Sequence, residues 1–316
     1  MTELEIILYL VGGLIMLFIG AEGLIRGSSN LAIKIGITPL VVGLTVVAFG
    51  TSTPELVVSL KAALLGNSSI SLGNVVGSNI ANIALILGVA ALIKPLDVQA
   101  KVIMREIPIM IGISLLLLLL LLDGELGFID GLVFVSGIIT YTFVNVWMAR
   151  KEKSPEVVEE FKEGLKSKLG IPVSIVLMIA GIGLLILGAN LFVQSAVAIA
   201  KMFNISDAII GLTIVAIGTS LPELITSIVA AYKKESDIAI GNVVGSNIFN
   251  ILGILGITAL IIPISSAGIS YIDLGVMLFT AIILFPLSRS GFSISRMEGA
   301  LLLAGYAGYI YYLIPK

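Results

Sequence analysis

The chain has 316 residues, 58% hydrophobic and only 12% charged, with a mean hydropathy of +1.16. Soluble domains carry about 25% charged residues, so this composition is that of an integral membrane protein. A formal charge of −2 offers nothing to nucleic acid, and the lack of Cys and His excludes disulfides, thiolate or imidazole metal sites and histidine proton relays.

A membrane-spanning helix needs roughly 20 mostly apolar residues. On that basis the spans fall at Leu4–Ile25, Ile37–Leu65, Ile70–Ile93, Val102–Leu122, Leu126–Met148, Ile171–Val193, Ile205–Tyr232, Ile238–Ile262, Ile269–Leu287 and Met297–Ile314, ten in all. The N-terminal stretch lacks a basic region ahead of its apolar run, so it reads as a first span and not as a signal peptide. The only long polar stretch, Arg150–Gly170, is a solvated linker with some helix. It divides the chain into a first five-helix repeat (1–149), a cytoplasmic linker (150–170) and a second five-helix repeat (171–316). The expected fold is all-α and polytopic.

The two halves are copies. GNVVGSNI occurs at Gly73–Ile80 and again at Gly241–Ile248, an offset of 241 − 73 = 168 residues. The same offset carries GTSTPEL at Gly50 onto GTSLPEL at Gly218, and Gly20, Gly43, Gly88 and Pro95 onto Gly188, Gly211, Gly256 and Pro263. Five spans separate equivalent points, and five is odd, so the second copy enters the membrane from the other side. Of the 18 lysines and arginines, all but Lys61, Lys201 and Lys316 then lie on the face of the central linker. The positive-inside rule makes that face cytoplasmic and places both termini outside. Inverted repeats around a midplane site are the signature of secondary transporters.

Span two meets Pro54 within Gly50-Thr51-Ser52-Thr53-Pro54-Glu55. Proline lacks an N–H, clashes with the carbonyl four residues back and drives the residue before it, Thr53, out of the α region. The helix is expected to break near mid-membrane, freeing carbonyls around Ala48–Thr51, which in lipid demands a cavity, water or a cation. Glu55 then sits in the first turn of the next half-helix, where the dipole favours its ionised form. Ser52, Glu55 and Ser59 share one face, with Thr51 one turn before Glu55. The second copy presents Thr219, Ser220, Pro222, Glu223 and Ser227. In span three Asn74, Ser78 and Asn82 line one face, and Gly73 and Gly77 allow another helix to approach; Asn242, Ser246, Asn250, Gly241 and Gly245 are the second copy.

An ionised carboxylate at the bilayer centre costs several kcal/mol unless paired. No basic residue lies in either interrupted segment, and Lys61 is nearer the surface. A cation from outside the chain is the economical partner of Glu55 and Glu223. Carboxylates, hydroxyls, amide and backbone carbonyls make an all-oxygen site for a hard cation: calcium, sodium, magnesium or manganese. Other charged residues read as structural. Glu22 matches Asn190 in the second repeat and lies near the end of span one; Arg105 and Glu106 begin span four at the interface; Asp123, Glu125 and Asp130 belong to a solvated external turn.

GTSTPEL and GTSLPEL, each followed by GNVVGSNI, resemble the paired α-repeats of the sodium/calcium exchanger branch of the calcium/cation antiporter superfamily. The resemblance covers essentially the whole chain and fits the compact prokaryotic type, without the calcium-sensing domains of animal exchangers. It implies a Na+/Ca2+ antiporter working by alternating access, not an enzyme, in the cell membrane. Its transported ions are calcium and sodium, it needs no organic cofactor, and its only other partner is the lipid bilayer. The resemblance further implies that Glu55 and Glu223 are central ligands. Thr51, Ser52, Ser78 and Asn82, with Thr219, Ser220, Ser246 and Asn250, would complete the sites, along with carbonyls at Ala48 and Ala216 and at Thr51 and Thr219. Spans one and six would slide against the remaining bundle. Archaeal and potassium-dependent relatives often have aspartate where this chain has Asn250, whereas many potassium-independent animal exchangers have asparagine, so the resemblance points to potassium-independent exchange, with three Na+ for each Ca2+ and hence net charge movement. The runner-up is a proton/calcium antiporter of the same superfamily, whose members resemble GNxxE where this chain has GTSxPE. A cation channel would arrange an acidic ring about an oligomeric axis, and a serine hydrolase at Ser52 or Ser220 would lack a base.

Overall fold

The computed structural model describes residues 2–35, 37–66, 68–151, 169–202, 216–267 and 269–313. In the first repeat α1 is Glu3–Ile35, α2 Pro39–Thr51, α3 Thr53–Leu64, α4 residues 68–93, α5 Val102–Asp123 and α6 Phe128–Lys151. In the second, α7 is Ile171–Met202, α8 Ala216–Thr219, α9 Leu221–Tyr232, α10 Ser236–Ile261, α11 Tyr271–Arg289 and α12 Arg296–Leu313. Seven of these helices are long and apolar enough to cross a membrane, and the bent α2–α3 pair makes an eighth span. Helix α12 stands where the last span is expected. The seventh expected span, Ile205–Tyr232, lies partly outside the described residues and is represented by α8 and α9. The linker lies almost wholly outside them.

Two-residue strands join the loops, a feature the apolar pattern does not announce. β1 (Leu96–Asp97) pairs antiparallel with β4 (Ser293–Ile294), and β2 (Glu125–Leu126) with β3 (Ile264–Ser265). The register Leu96↔Ile294 is matched by Leu126↔Ile264. Leu96 and Ile264 are repeat equivalents, as are Leu126 and Ile294. Helix α5 separates β1 from β2, so the two ribbons lie at opposite ends of the bundle. Equivalent strands therefore face opposite sides, which makes the two repeats inverted copies.

Helices α1 and α7 are longer than expected, reaching Ile35 and Met202. At 1.5 Å per residue α1 alone is about 50 Å long, well beyond a hydrocarbon core of about 30 Å, so it must tilt or project. The pair runs antiparallel and in near-backbone contact. A Cβ built on Gly13 would lie 2.9 Å from the Gly188 carbonyl oxygen, and one on Gly20 would lie 2.8 Å from that of Gly181. Only glycine lets the two helices come this close. Asn30 adds a 2.6 Å hydrogen bond to Ser174.

The centre of the molecule is α4 and α10, with 72% and 83% of their apolar windows buried, against 22–33% for α1, α5, α6, α7 and α11. Gly241 and Gly245 of α10 act as expected: added Cβ atoms would meet the Leu40 and Leu44 carbonyls of α2 at 2.9 and 2.5 Å. No described residue lies within 4 Å of a Cβ added at Gly77; the residues that the repeat offset would set against it, near 212, lie outside the described ones. At the periphery, Tyr141 of α6 donates to Glu106 (2.7 Å) and its equivalent Tyr309 of α12 donates to Asp273 (2.9 Å).

Candidate ion-binding site

The α2–α3 axis bends by 45° at Ser52, whose φ of −82° and ψ of 8° leave the helical region. Ser220 adopts the same conformation, φ −90° and ψ 7°, between α8 and α9. The break thus falls one residue before the Thr53 expected from the proline. Pro54 occupies the first turn of α3, where a missing N–H is tolerated. Thr53 joins α3, and its hydroxyl donates to the Phe49 carbonyl at 3.0 Å. The carbonyl of Ala48 is not left bare either. It accepts from the Ser52 N–H (3.0 Å) and the Thr51 hydroxyl (3.3 Å). The expectation of freed carbonyls therefore fails at Ala48 and Phe49, because side-chain hydroxyls and a tight turn replace the lost helical bonds. Ala216 opens α8 and only its backbone is described.

Both glutamates fall in the first turn of the helix that follows the break and are 1% exposed. Their partners come from the opposite repeat. Ser52 donates to Glu223 Oε1 at 2.7 Å and lies 3.0 Å from Ser246 Oγ. Ser220 donates to Glu55 Oε1 at 3.0 Å and lies 3.2 Å from Ser78 Oγ. Every residue in one set is the repeat equivalent of its counterpart. Thr51 lies 3.1 Å from Asn242 Oδ1, and its equivalent Thr219 is also partnered. Asn74 Nδ2 braces Ser59 (3.0 Å) and the Glu55 carbonyl (3.4 Å). Asn242 does the same for Ser227 (3.1 Å) and the Glu223 carbonyl (3.4 Å).

Asn82 is the second residue of the π-helical turn Ala81–Leu87 and Asn250 the first of Asn250–Leu255, close to the same point of α4 and α10. Each donates its amide to an asparagine of the other repeat: Asn82 to Asn247 Oδ1 (2.9 Å) and Asn250 to Asn79 Oδ1 (3.0 Å). Among the described residues, Glu55 Oε2, Glu223 Oε2, Asn82 Oδ1 and Asn250 Oδ1 are all buried and have no hydrogen-bond donor. Unpaired buried oxygens are costly, and four acceptors without donors are what a cation would satisfy. No group of three or more acidic residues forms among the described residues, so any ion here would be held by two carboxylates and neutral oxygens.

The structure thus brings Thr51, Ser52, Glu55, Ser78 and Asn82 together with Ser220, Glu223, Ser246 and Asn250. Asn79 and Asn247 belong to the same cluster and were not singled out in the sequence, although GNVVGSNI repeats them. Glu22 stays apart, paired with Arg26 and with Lys233, which caps the C-terminus of α9. Glu106 is fully buried within the protein, and its neighbour Arg105 donates to Asn145 at 2.8 Å. Two facing hydrogen-bond partners on α6 draw the pair inward.

A family model described as "Sodium/calcium exchanger protein" matches residues 5–147 and 173–314. The chain belongs to that family. It is a cation/calcium antiporter of the membrane, not an enzyme. This exchanger is 39% identical over 314 residues to the putative antiporter CaxA of Alkalimonas amylolytica, covering 98% of each chain. It is 34% identical to the sodium/calcium exchanger MaX1 of Methanosarcina acetivorans, covering 96% of this chain and 97% of that one. A solved structure of the sodium-calcium exchanger NCX_Mj, soaked with Na+ and Ca2+, matches all of the chain with a TM-score of 0.85 at 33% identity.

Proposed function

We propose that the protein exchanges Na+ for Ca2+ across the cell membrane by alternating access, with net charge movement and without potassium. The observation that carries this reading is the set of four donorless oxygens on Glu55, Glu223, Asn82 and Asn250, with the hydroxyls of Ser52, Ser78, Ser220 and Ser246 beside them. Ca2+ takes 6–8 oxygen ligands in flexible geometry, and two glutamates neutralise it. The Thr51 and Thr219 side chains and the carbonyls of Ala216, Thr51 and Thr219 extend the ligand supply for sodium. MaX1 and NCX_Mj, both named as exchangers of these two ions, support the choice of cargo.

The same carboxylate pair serves both ions in turn. With Ca2+ bound the site is neutral; with three Na+ it carries one positive charge, and each elementary charge crossing the field is worth about 2.3 kcal/mol per 100 mV. Glycines of α1 and α7 meet backbone to backbone along the seam, which suits the pair to slide past the bundle. Both termini lie outside and the linker is cytoplasmic. The unit of organisation is the repeat, 1–149 and 171–316, joined by the linker 150–170.

Calcium uptake by sodium-loaded proteoliposomes tests this. A sodium gradient alone should drive uptake, an inside-positive potential should speed it because the outward limb carries the charge, and potassium added without a change in potential should leave it unaltered. Uptake that requires a proton gradient would select proton/calcium exchange, and a strict potassium requirement would remove the potassium-independent reading.

A further inference from the structure

Two of the four donorless oxygens belong to amides. An amide is two-faced: its oxygen attracts a cation, its NH2 repels one, and a half-turn about the last bond exchanges them. The sequence motif places Asn82 and Asn250 but does not say which end they show.

Asn79 and Asn247 decide it. Asn79 Nδ2 donates to the backbone carbonyl of Asn247 at 3.3 Å, and Asn247 Nδ2 donates to that of Asn79 at 3.4 Å. A backbone carbonyl only accepts, so both amides are held with NH2 toward it and oxygen away. Those oxygens face Asn250 and Asn82, which can answer only with their own NH2. The Oδ1 atoms of Asn82 and Asn250 are thereby turned to the other side, where they have no donor. All four side chains are at most 2% exposed, so no bulk water competes for these bonds.

We propose that Asn79 and Asn247 are positioning residues that set the polarity of the ion site, each orienting the ligand amide of the opposite repeat. The proposal rests on the ion-binding reading given above. It makes a specific claim about coupling: Asn79 matters to the ion through Asn250, and Asn247 through Asn82. Interhelical glue alone would support the fold without that dependence.

A double-mutant cycle separates the two. Calcium binding is measured by titration calorimetry on the purified full chain for wild type, Asn79→Leu, Asn250→Asp and the pair, with the melting temperature of the ion-free protein as the fold control. Asn79→Leu should weaken calcium binding roughly 10–100-fold, the usual range for loss of a group that orients a ligand. A carboxylate presents an oxygen whichever way it turns. With Asn250→Asp in place, Asn79→Leu should therefore change affinity by less than about twofold. Asn79→Asp keeps the acceptor for Asn250 and should hold calcium affinity at or above the wild-type level, which covers the case in which leucine is not tolerated. Equal losses from Asn79→Leu in both backgrounds, or a loss with Asn79→Asp as large as that with leucine, would overturn the positioning role while leaving the ion site intact. A wild-type protein that binds no calcium would overturn the ion-binding reading and this proposal with it.

Discussion

The hydroxyl of Ser52 donates to the carboxylate of Glu223, 2.7 Å away and 171 residues later in the chain. The mirror bond runs from Ser220 to Glu55. Neither glutamate is therefore served by its own repeat alone, and the site exists only when the two halves are docked. This reciprocity gives the two carboxylates similar surroundings, as a carrier that exposes one site to either side requires.

Glu55→Gln and Glu223→Gln should each lower calcium uptake by about a hundredfold or more while leaving a folded protein. Glutamine keeps an oxygen for the serine but removes the charge that offsets the ion, and burying a neutral amide in the ion-free state is easier than burying a carboxylate. Melting of the ion-free variants should match or exceed wild type. Normal uptake by either variant would remove that residue from the site.

Ser52→Ala and Ser220→Ala should each raise the calcium concentration for half-maximal uptake by about tenfold, because a hydrogen bond to a charged group contributes roughly 1.5–3 kcal/mol. The two effects should be similar in size, since the two bonds are repeat equivalents. Uptake curves of purified variants in proteoliposomes give the numbers. A large effect from one serine and none from the other would break the symmetry argued here.

Gly20→Val should destabilise the α1–α7 seam and slow transport. Its Cβ would meet the Gly181 carbonyl and the Leu185 nitrogen at 2.8 and 2.9 Å, both backbone atoms that cannot swing aside. Forced overpacking of this kind costs about 1–3 kcal/mol. Gly12→Val is the control, because no described residue lies within 4 Å of its added Cβ. Equal melting temperatures and equal rates for the two variants would show that the close approach is not needed.

Cysteines placed at Lys61 and Lys166 should react with a membrane-impermeant reagent from opposite sides, Lys61 from outside. The chain has no cysteine of its own, so the background is clean. Labelling of intact cells and of inverted vesicles provides the comparison, and modification of both positions from one side contradicts the proposed orientation.

Much of this molecule was legible in one dimension. A membrane solvent follows from composition, and duplication follows from the repeated GNVVGSNI. Inversion follows because five spans separate the copies, and the ends of α3 and α9 obey the repeat offset to the residue. Pro54 and Pro222 announced an interruption, and two carboxylates with no basic neighbour point to a cation as their partner. All of these signals are local or periodic, and so survive in the order of residues. The break at Ser52, one residue before the expected point, did not, because it depends on how Thr51 and Thr53 re-bond the turn.

Partnership was the part that needed the folded chain. Ser52 and Ser59 lie on one face with Glu55, yet Ser52 serves Glu223 and Ser59 receives Asn74. Nothing in the order of residues pairs Glu106 with Tyr141 of α6, 35 positions later. Asn79 and Asn82 lie within one turn of α4, yet each bonds across the molecule to the other copy, 165–171 residues away. A linear pattern states which groups are available and on which face of a helix they lie. Which oxygen is left without a donor is decided only when two buried surfaces meet, because each hydrogen bond made there removes one option from a neighbour that no water can reach.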